Sequence, residues 1–443
     1  MPDGPAPYRI FGATGQSAQG QPALTDLDAY RQHAGYTALR QALTTLTPEQ
    51  VLDEIRAAHL RGRGGAGVLT AEKLAIMARA PEVQRYLVCN AYDADPRSLV
   101  ARTLLAQNPH AVIEGMALAA YAIGATEGFL YVRGDREVAG VISRALHDAA
   151  DAGILGRGVL GSRFSFSITL AGTEMGFMGG EESTLLQILK GRPAKAQQRP
   201  PYPTQYGYND QPTVVQNVET LVNLPLIVAR GADAFLRAGT QMTPGTKLFT
   251  VIGPDGARRL VEVPFGTPIA GALQAAGMTA SEATARAVVV GGMEGGALPL
   301  SMLNTPLDFE PLEDAGAIIG SSIIEVLPRE TCMVHYAMER SDYLSKETCG
   351  KCVPCRVGVM RVAGTLQGIA SNIGAEGDLA LLEEFAHYIP DGSLCGFGVN
   401  AVHPVVTAMK YFASDFAAHL EGKCPTGTCL PVRSHRYITK HVL

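Results

Sequence analysis

Cys349, Cys352 and Cys355 put three thiols on one short stretch of chain at C-x-x-C-x-x-C spacing, and nothing else in the sequence restricts the fold as much. A loop so built turns its sulfurs to one side, and one further thiolate would complete the Cys₄ shell of a [4Fe–4S] cube. The usual bacterial ferredoxin run adds its next cysteine after three residues, but that position is Val359. The fourth ligand therefore comes from afar, with Cys332, Cys395, Cys424 and Cys429 in competition. Cys395 is best placed, because Ser393-Leu394-Cys395-Gly396-Phe397-Gly398 reads as a glycine-flanked turn between two helices. Zinc also accepts four thiolates, yet structural zinc usually draws two C-x-x-C pairs rather than a triple and a remote single. Lys351 and Arg356 would place positive charge beside a cluster; the plainer reading is that both are solvated.

The rest of the composition agrees with a metal-binding protein of a reduced compartment. Of eight cysteines among 443 residues, all but Cys89 lie from Cys332 onward, unlike a secreted disulfide framework. Length sets an expectation of two to four packed units, and 47% hydrophobic with 18% charged residues describes a globular chain. The net charge of −5 is spread without a basic block, which argues against a nucleic-acid partner. The most apolar stretch, Ala111 to Ala125, is broken by Glu114 and glycines and falls short of the ~18 to 20 apolar residues of a membrane span. The opening Met-Pro-Asp-Gly-Pro lacks the features of a secretory signal, so a cytoplasmic location is expected.

Along the chain, residues 1–45 read as a loose arm with one short helix, and a helix capped by Thr47 with Pro48 in its first turn follows. From there to about residue 240, short apolar runs (Tyr86 to Cys89, Gly128 to Val132, Ser165 to Leu170) alternate with helical stretches (Pro109 to Ile123, Glu137 to Ala152), the pattern of an α/β layer. Residues 245–328 switch to strands at Phe249 to Ile252, Arg259 to Val263, Ala287 to Val290 and Ile323 to Leu327 around a helix at Pro268 to Ala276, a small α+β unit. Helical periodicity returns at Met333 to Tyr343, Val357 to Ile373, Leu379 to His387 and Val405 to His419, with the cysteine motif between helices.

Three further strings carry chemistry. Arg61-Gly62-Arg63-Gly64-Gly65-Ala66-Gly67 is a loop whose backbone N–H groups can converge on an anion, with Arg61 or Arg63 adding charge; alone it is equally a tight turn. Gly179-Gly180-Glu181-Glu182-Ser183-Thr184 places two acids before a helical run, with Ser183 and Thr184 as caps; the acids either answer the helix dipole or accept from ribose hydroxyls. Gln216-Asn217-Val218-Glu219-Thr220 gathers amides and a hydroxyl suited to the mixed donor and acceptor edge of a flavin.

Taken in order, these strings resemble the flavin-bearing, NADH-oxidising 51 kDa subunit of respiratory complex I and its diaphorase relatives. The matching text is Leu60 to Gly67, Val88-Cys89-Asn90-Ala91, His110 with Ile113 to Met116, Tyr131 to Gly134, Gly180-Glu181-Glu182, Pro200-Pro201, Asn217 to Thr220, and Glu347 through Arg356. The resemblance implies an N-terminal arm and helix (1–59), a Rossmann-like α/β domain for FMN and nicotinamide (60–240), a ubiquitin-like β-grasp domain of the soluble-ligand-binding type (245–330), a helical [4Fe–4S] domain (335–420) and a tail (421–443). It implies Cys349, Cys352, Cys355 and Cys395 as cluster ligands. Around FMN and NAD(H) it implies Arg63, Gly64, Gly65, Gly67, Lys73, Asn90, Asp93, Phe177, Gly180, Glu181, Glu182, Arg199, Tyr202, Asn217 and Thr220. The chemistry implied is hydride transfer from NADH to FMN followed by single-electron release to the cluster, with no side-chain acid or base required. A thioredoxin-like [2Fe–2S] subunit and a larger iron–sulfur subunit are the implied partners, in a complex at the inner membrane surface or in a soluble formate dehydrogenase or hydrogenase.

The sequence also departs from this family. Where the family usually has aromatics, Val68, Leu74 and Ile76 stand, leaving Tyr202 to stack an adenine. Arg97 and Arg199 suit a 2′-phosphate, and so NADPH, or else pair with nearby acids. A relay subunit that keeps FMN and cluster without nicotinamide is thus a second reading. Beyond most of the resemblance, Cys424 and Cys429 with His435 and His441 read either as a zinc site or as a tail of free thiols or one pinned to a partner, and Cys89 and Cys332 as buried core thiols.

Overall fold

The computed structural model describes residues 10, 23–81 and 84–429. The apolar runs of the first half become β1 (Tyr86–Ala91), β2 (Glu127–Arg133), β3 (Ser167–Thr173) and β4 (Thr213–Asn217), a parallel sheet in the order β3-β2-β1-β4. β1 is central and buried on both faces, which is why it reads as an unbroken apolar run rather than an alternating one. The order is the opening half of a Rossmann-like doubly wound sheet. Strands leave β1 in one direction through β2 and β3 and in the other through β4, so a topological switch point lies between β1 and β4, with a crevice expected beyond their carboxyl ends.

The helix Pro109–Ile123 packs against this sheet and is buried almost throughout. Its Glu114, read in the sequence as an interruption, is instead the receptor for the N-terminal arm. Glu114 accepts from the Tyr30 hydroxyl at 2.6 Å and from the backbone N–H groups of Tyr36 (2.9 Å) and Leu39 (3.0 Å). Among its described residues the arm accordingly holds two docked helices, Leu27–Gln32 and Thr37–Thr45, where one short helix was expected. The next helix, Pro48–Ala57, starts as expected, with Thr47 and Gln50 forming a reciprocal capping box.

The second sheet comprises β5 (Thr246–Ile252), β6 (Arg258–Pro264), β7 (Ala285–Val290), β8 (Gly296–Pro299) and β9 (Ile323–Pro328), ordered β6-β5-β9-β7-β8. β5 and β9 pair in parallel at the centre, the hairpins flank them, and the helix Ile269–Ala275 lies across β5 and β6, giving a β-grasp. β4 and β8 are strands the sequence did not announce, both short and the second only four residues long.

The remaining chain is a helical bundle of Met333–Glu347, Val359–Ala370, Gly377–Asp391, His403–Tyr411 and Ala413–Leu420. The single helix expected over Val405 to His419 is broken at Phe412, which leaves helical backbone (φ −129, ψ 36) and buries its ring beneath the Arg286 guanidinium. The helix expected from Val357 is preceded by a π-turn, Pro354–Gly358, that carries Cys355. Such wide turns interrupt the α-helical ladder and recur at functional sites.

Candidate functional site

Beyond the carboxyl ends of β1 and β4, where sheet, β-grasp and bundle meet, lies a cleft of about 590 Å³. Apart from Tyr202, every residue expected around flavin or nicotinamide lines it, from Arg63, Gly64, Gly65, Gly67 and Lys73 through Asn90 and Asp93 to Phe177, Gly180, Glu181, Glu182, Arg199, Asn217 and Thr220. Tyr202 is about half exposed outside that lining.

The glycine loop is fixed by close approach. Gly65 has φ +102, and a Cβ there would meet the Gly320 carbonyl oxygen of the β-grasp at 2.8 Å. A Cβ on Gly64 would come within 3.1 Å of the Asn217 Cβ. The expectation that Arg61 or Arg63 lends charge to an anion is corrected by where their guanidiniums go. Arg63 is fully buried and donates to the carbonyls of Arg61 (2.7 Å), Pro244 (2.7 Å) and Thr246 (3.2 Å), over the Phe265 ring. Arg61 donates to the Gly67 carbonyl at 2.9 Å and to Glu310 at 2.7 Å, over the Phe309 ring. Both brace the loop from behind, and the Thr220 hydroxyl accepts from the Arg63 N–H at 2.8 Å. Backbone amides are left as the loop's offering to a ligand.

The two acids take different roles. Glu181, rather than Ser183 or Thr184, is the N-cap of the helix Glu182–Leu189: it accepts from the Thr184 N–H at 2.8 Å and from both hydroxyls. Glu182 is held between Lys73, which also donates to the Val215 carbonyl at 2.8 Å, and Arg199 at 2.9 Å. Arg199 bridges both acids, its second contact being Glu181 at 3.1 Å. Asn90 donates to the Gly180 carbonyl at 2.8 Å, tying β1 to this segment. Arg97 turns to Asp95 (2.9 Å) and Glu325 (2.7 Å) and is absent from the cleft lining. Leu74 belongs to the core, so only Val68 and Ile76, both more than half exposed, mark places where an aromatic face is missing.

Sequence reasoning missed Glu294, which sits in the cleft wall beside Asn400. Burial pushes its carboxyl up to about 8, and its Oε1 has no partner among the described residues. The signal was an acid directly after Gly291-Gly292-Met293, between two apolar strands. Gln216 Nε2 is likewise buried, unpartnered and in the lining. A backbone cradle that no side chain can enter, with an orphaned amide donor, fits a phosphorylated flavin with a hydrogen-bonding ring edge.

Cys349, Cys352 and Cys395 all lie close enough to Cys355 to act on its thiol, and Cys395 directly precedes Gly396 in the cleft wall. Cys395 is the N-cap of the short helix Gly396–Asn400. Leu394 N–H donates to the Cys352 sulfur at 3.4 Å, and Arg356 closes the motif loop onto the Gly350 carbonyl at 2.7 Å. Burial first, then the neighbouring thiols Cys395, Cys352 and Cys349, push the Cys355 thiol up to about 12. Without a cation the Cys355 sulfur holds its proton, and metal binding displaces it. The rivals for fourth ligand, Cys332, Cys424 and Cys429, lie together elsewhere around His419. Gly396 and Phe397, next to Cys395, line the cleft, and the Phe397 ring stands 5.6 Å from that of Phe177. The thiol quartet and the cleft therefore share a wall.

The Nuo51 FMN-binding domain matches residues 55–226, and the NADH-ubiquinone oxidoreductase-F iron-sulfur binding region matches residues 335–419. NADP-reducing hydrogenase subunit HndC of Solidesulfovibrio fructosivorans is 38% identical over 406 residues, covering 91% of this chain and 82% of the relative. The NADH-quinone oxidoreductase F 2 subunit of Rhizobium meliloti is 35% identical over 402 residues, covering 90% and 96%. Among solved structures, an NAD⁺-reducing [NiFe]-hydrogenase in the air-oxidized state is 33% identical with a TM-score of 0.78, over 93% of this chain and 69% of that one.

Proposed function

The chain belongs to the Nuo51 family of NADH-quinone oxidoreductase subunits, with its FMN-binding and iron–sulfur regions, and from that premise we propose that it is the electron-input subunit of a larger oxidoreductase. Bound FMN supplies the conversion of a hydride taken from NADH into single electrons for a [4Fe–4S] cluster. The observation that carries this reading is the wall shared by cleft and cysteine quartet through Gly396 and Phe397.

In this reading Gly64, Gly65 and Gly67 present backbone N–H groups to the phosphate, and Asn90, Gln216, Asn217 and Thr220 face the flavin. Cys349, Cys352, Cys355 and Cys395 hold the cluster. Lys73, Glu182 and Arg199 form a linked ion-pair chain at the cleft that orients the incoming nucleotide. NADH is favoured over NADPH, because Arg97 and Arg199 are both already paired with carboxylates and a 2′-phosphate would have to displace them. Phe177 and Phe397 keep the floor between the cleft and Cys395 apolar and exclude water there.

The relatives are subunits of multi-subunit complexes. Val353, Val357 and Met360, on the cluster motif and its helix, are exposed and support docking of an iron–sulfur partner at that face, a thioredoxin-like [2Fe–2S] subunit or a larger one. No helix among the described residues is long and apolar enough to cross a membrane, consistent with peripheral attachment through such partners.

The relay reading rests on Val68 and Ile76, exposed where an aromatic face would grip a nucleotide. Anaerobic mixing of the holoprotein with NADH, then NADPH, separates the two readings. Flavin bleaching by NADH with electron delivery to an artificial acceptor is expected; no bleaching by either nucleotide overturns the dehydrogenase assignment and leaves the relay.

A further inference from the structure

At the far end of the bundle, Cys332, His419, Cys424 and Cys429 bring their ligand atoms to within 4.8 Å of one another. The first and the last two come from segments that no regular element unites. Cys332 is the N-cap of the helix Met333–Glu347, His419 lies in the final helix, and Cys424 and Cys429 follow it in the tail. Their spacing is that of a single ion. Cys332 Sγ is 3.6 Å from His419 Nε2, His419 Nε2 is 3.3 Å from Cys429 Sγ, and the two sulfurs are 3.5 Å apart. A tetrahedron with bonds of ~2.3 Å to sulfur and ~2.0–2.1 Å to nitrogen has edges of roughly 3.4–3.8 Å.

The histidine is prepared for the task. Its Nδ1 lies 2.6 Å from the Asp415 carbonyl oxygen, which can only accept, so Nδ1 carries the proton and Nε2 turns a lone pair toward the sulfurs. That is the outer hydrogen bond that orients metal-ligating imidazoles. The surrounding frame is also fixed: the Asp415 carboxylate accepts from the Met333 N–H at 3.1 Å and from Arg286 of β7 at 2.7 Å. His419 and Cys332 are almost fully buried, where an unpaired group of thiols gains little from water. None of these four residues serves the cleft or the cluster quartet.

We propose that Cys332, His419, Cys424 and Cys429 bind one zinc ion that fastens the tail and last helix to the start of the bundle. Three thiolates and one neutral imidazole make a closed structural set with no open position for substrate. The helix Met333–Glu347 then runs between two metal sites, with zinc at its first turn and the cluster loop after its last. Its fifteen residues set them about 22 Å apart along the axis. Zinc has no redox chemistry, so the site is a fastener and not a stop on the electron path. His435 and His441, which one of the two sequence readings set beside Cys424 and Cys429 at a zinc ion, lie outside the described residues, and His419 is the histidine found with the three cysteines.

The test is metal analysis of the untagged holoprotein, purified without added zinc. About one zinc per chain beside the cluster iron is expected, with zinc-edge X-ray absorption giving three sulfur neighbours and one nitrogen. Cys429→Ser should lower zinc to background while iron and flavin content hold. Should that variant fail to fold, the absorption spectrum of cobalt-grown unmodified protein still decides, through thiolate-to-cobalt charge transfer. Zinc at background in the unmodified protein, zinc held by oxygen and nitrogen only, undiminished zinc in Cys429→Ser, or a non-reducing mass lighter by two hydrogens from a Cys332–Cys429 disulfide each overturns the proposal.

Discussion

Gly65→Ala tests whether the glycine loop is a rigid cradle. Two costs add. With φ +102, an alanine is forced into a region L-residues avoid, at ~1–2 kcal/mol. Its Cβ would also sit 2.8 Å from the Gly320 carbonyl oxygen, which must retreat by roughly half an ångström to restore ordinary contact at about 3.4 Å. The first cost is shared with any left-handed glycine, and Gly153 isolates it: φ is +67 there, with nothing within 4 Å of an added Cβ. Gly153→Ala should therefore lower thermal stability and leave flavin binding untouched. Gly65→Ala should lower thermal stability and also weaken flavin binding, because moving the loop misaligns amides that bond an anion, each worth ~1.5–3 kcal/mol. Loss of one such bond weakens FMN about 10- to 100-fold. Titration of flavin-stripped protein with FMN, followed by quenching of flavin fluorescence, measures this directly. Unchanged FMN affinity in Gly65→Ala, with a melting shift equal to that of Gly153→Ala, would refute the cradle.

Glu219→Gln strands the fully buried Lys247 ammonium, whose pKa burial already lowers, and should cost ~3–5 kcal/mol in urea unfolding. A loss under 1 kcal/mol, on the order of a surface pair, would show that water reaches it. Glu294 is held protonated chiefly by burial, with the Asp95 charge adding to the shift and the Asn400 amide opposing it. Its folded pKa of about 8 exceeds the reference 4.5, so between those values the native state binds more protons than the unfolded one, and stability falls as pH rises through the window. The slope contributed is about 1.4 kcal/mol per pH unit. Glu294→Gln should flatten the dependence of the flavin-free protein's denaturation midpoint on pH between 5 and 8, and an unaltered slope counts against it. Cys395→Ser should abolish the reduced-cluster paramagnetic signal while FMN remains bound; a full-strength signal would exclude Cys395 as a ligand.

What was legible in the sequence followed local rules. Thr47-Pro48 marked a helix start because capping is a matter of adjacent residues, and β1 announced itself because a strand buried on both faces cannot alternate. The glycine loop, the acidic pair and the amide string were visible as strings, yet what their side chains do depended on partners distant in sequence. Arg63 looked like an anion ligand until Pro244 and Thr246 claimed its guanidinium, more than 180 positions away. Glu114 looked like a flaw in an apolar helix because its donors lie some 75 to 84 residues earlier. Cys332 is the buried core thiol its sequence suggested, but its neighbours His419 and Cys429 could not be foreseen, lying 87 and 97 residues downstream. β4 and β8 escaped notice because a strand of four or five residues has too few positions to show a period.

The placement of the cleft has a thermodynamic consequence. Its lining is drawn from the parallel sheet, the β-grasp and the bundle together, so no one of the three holds a complete binding surface. Whatever occupies the seam stabilises their mutual arrangement by mass action, in proportion to the logarithm of its concentration over its dissociation constant. Flavin retention is then a gauge of assembly. A lesion anywhere along the seam, even one remote from the nucleotide, should first be seen as cofactor leaching from a chain whose separate parts remain folded.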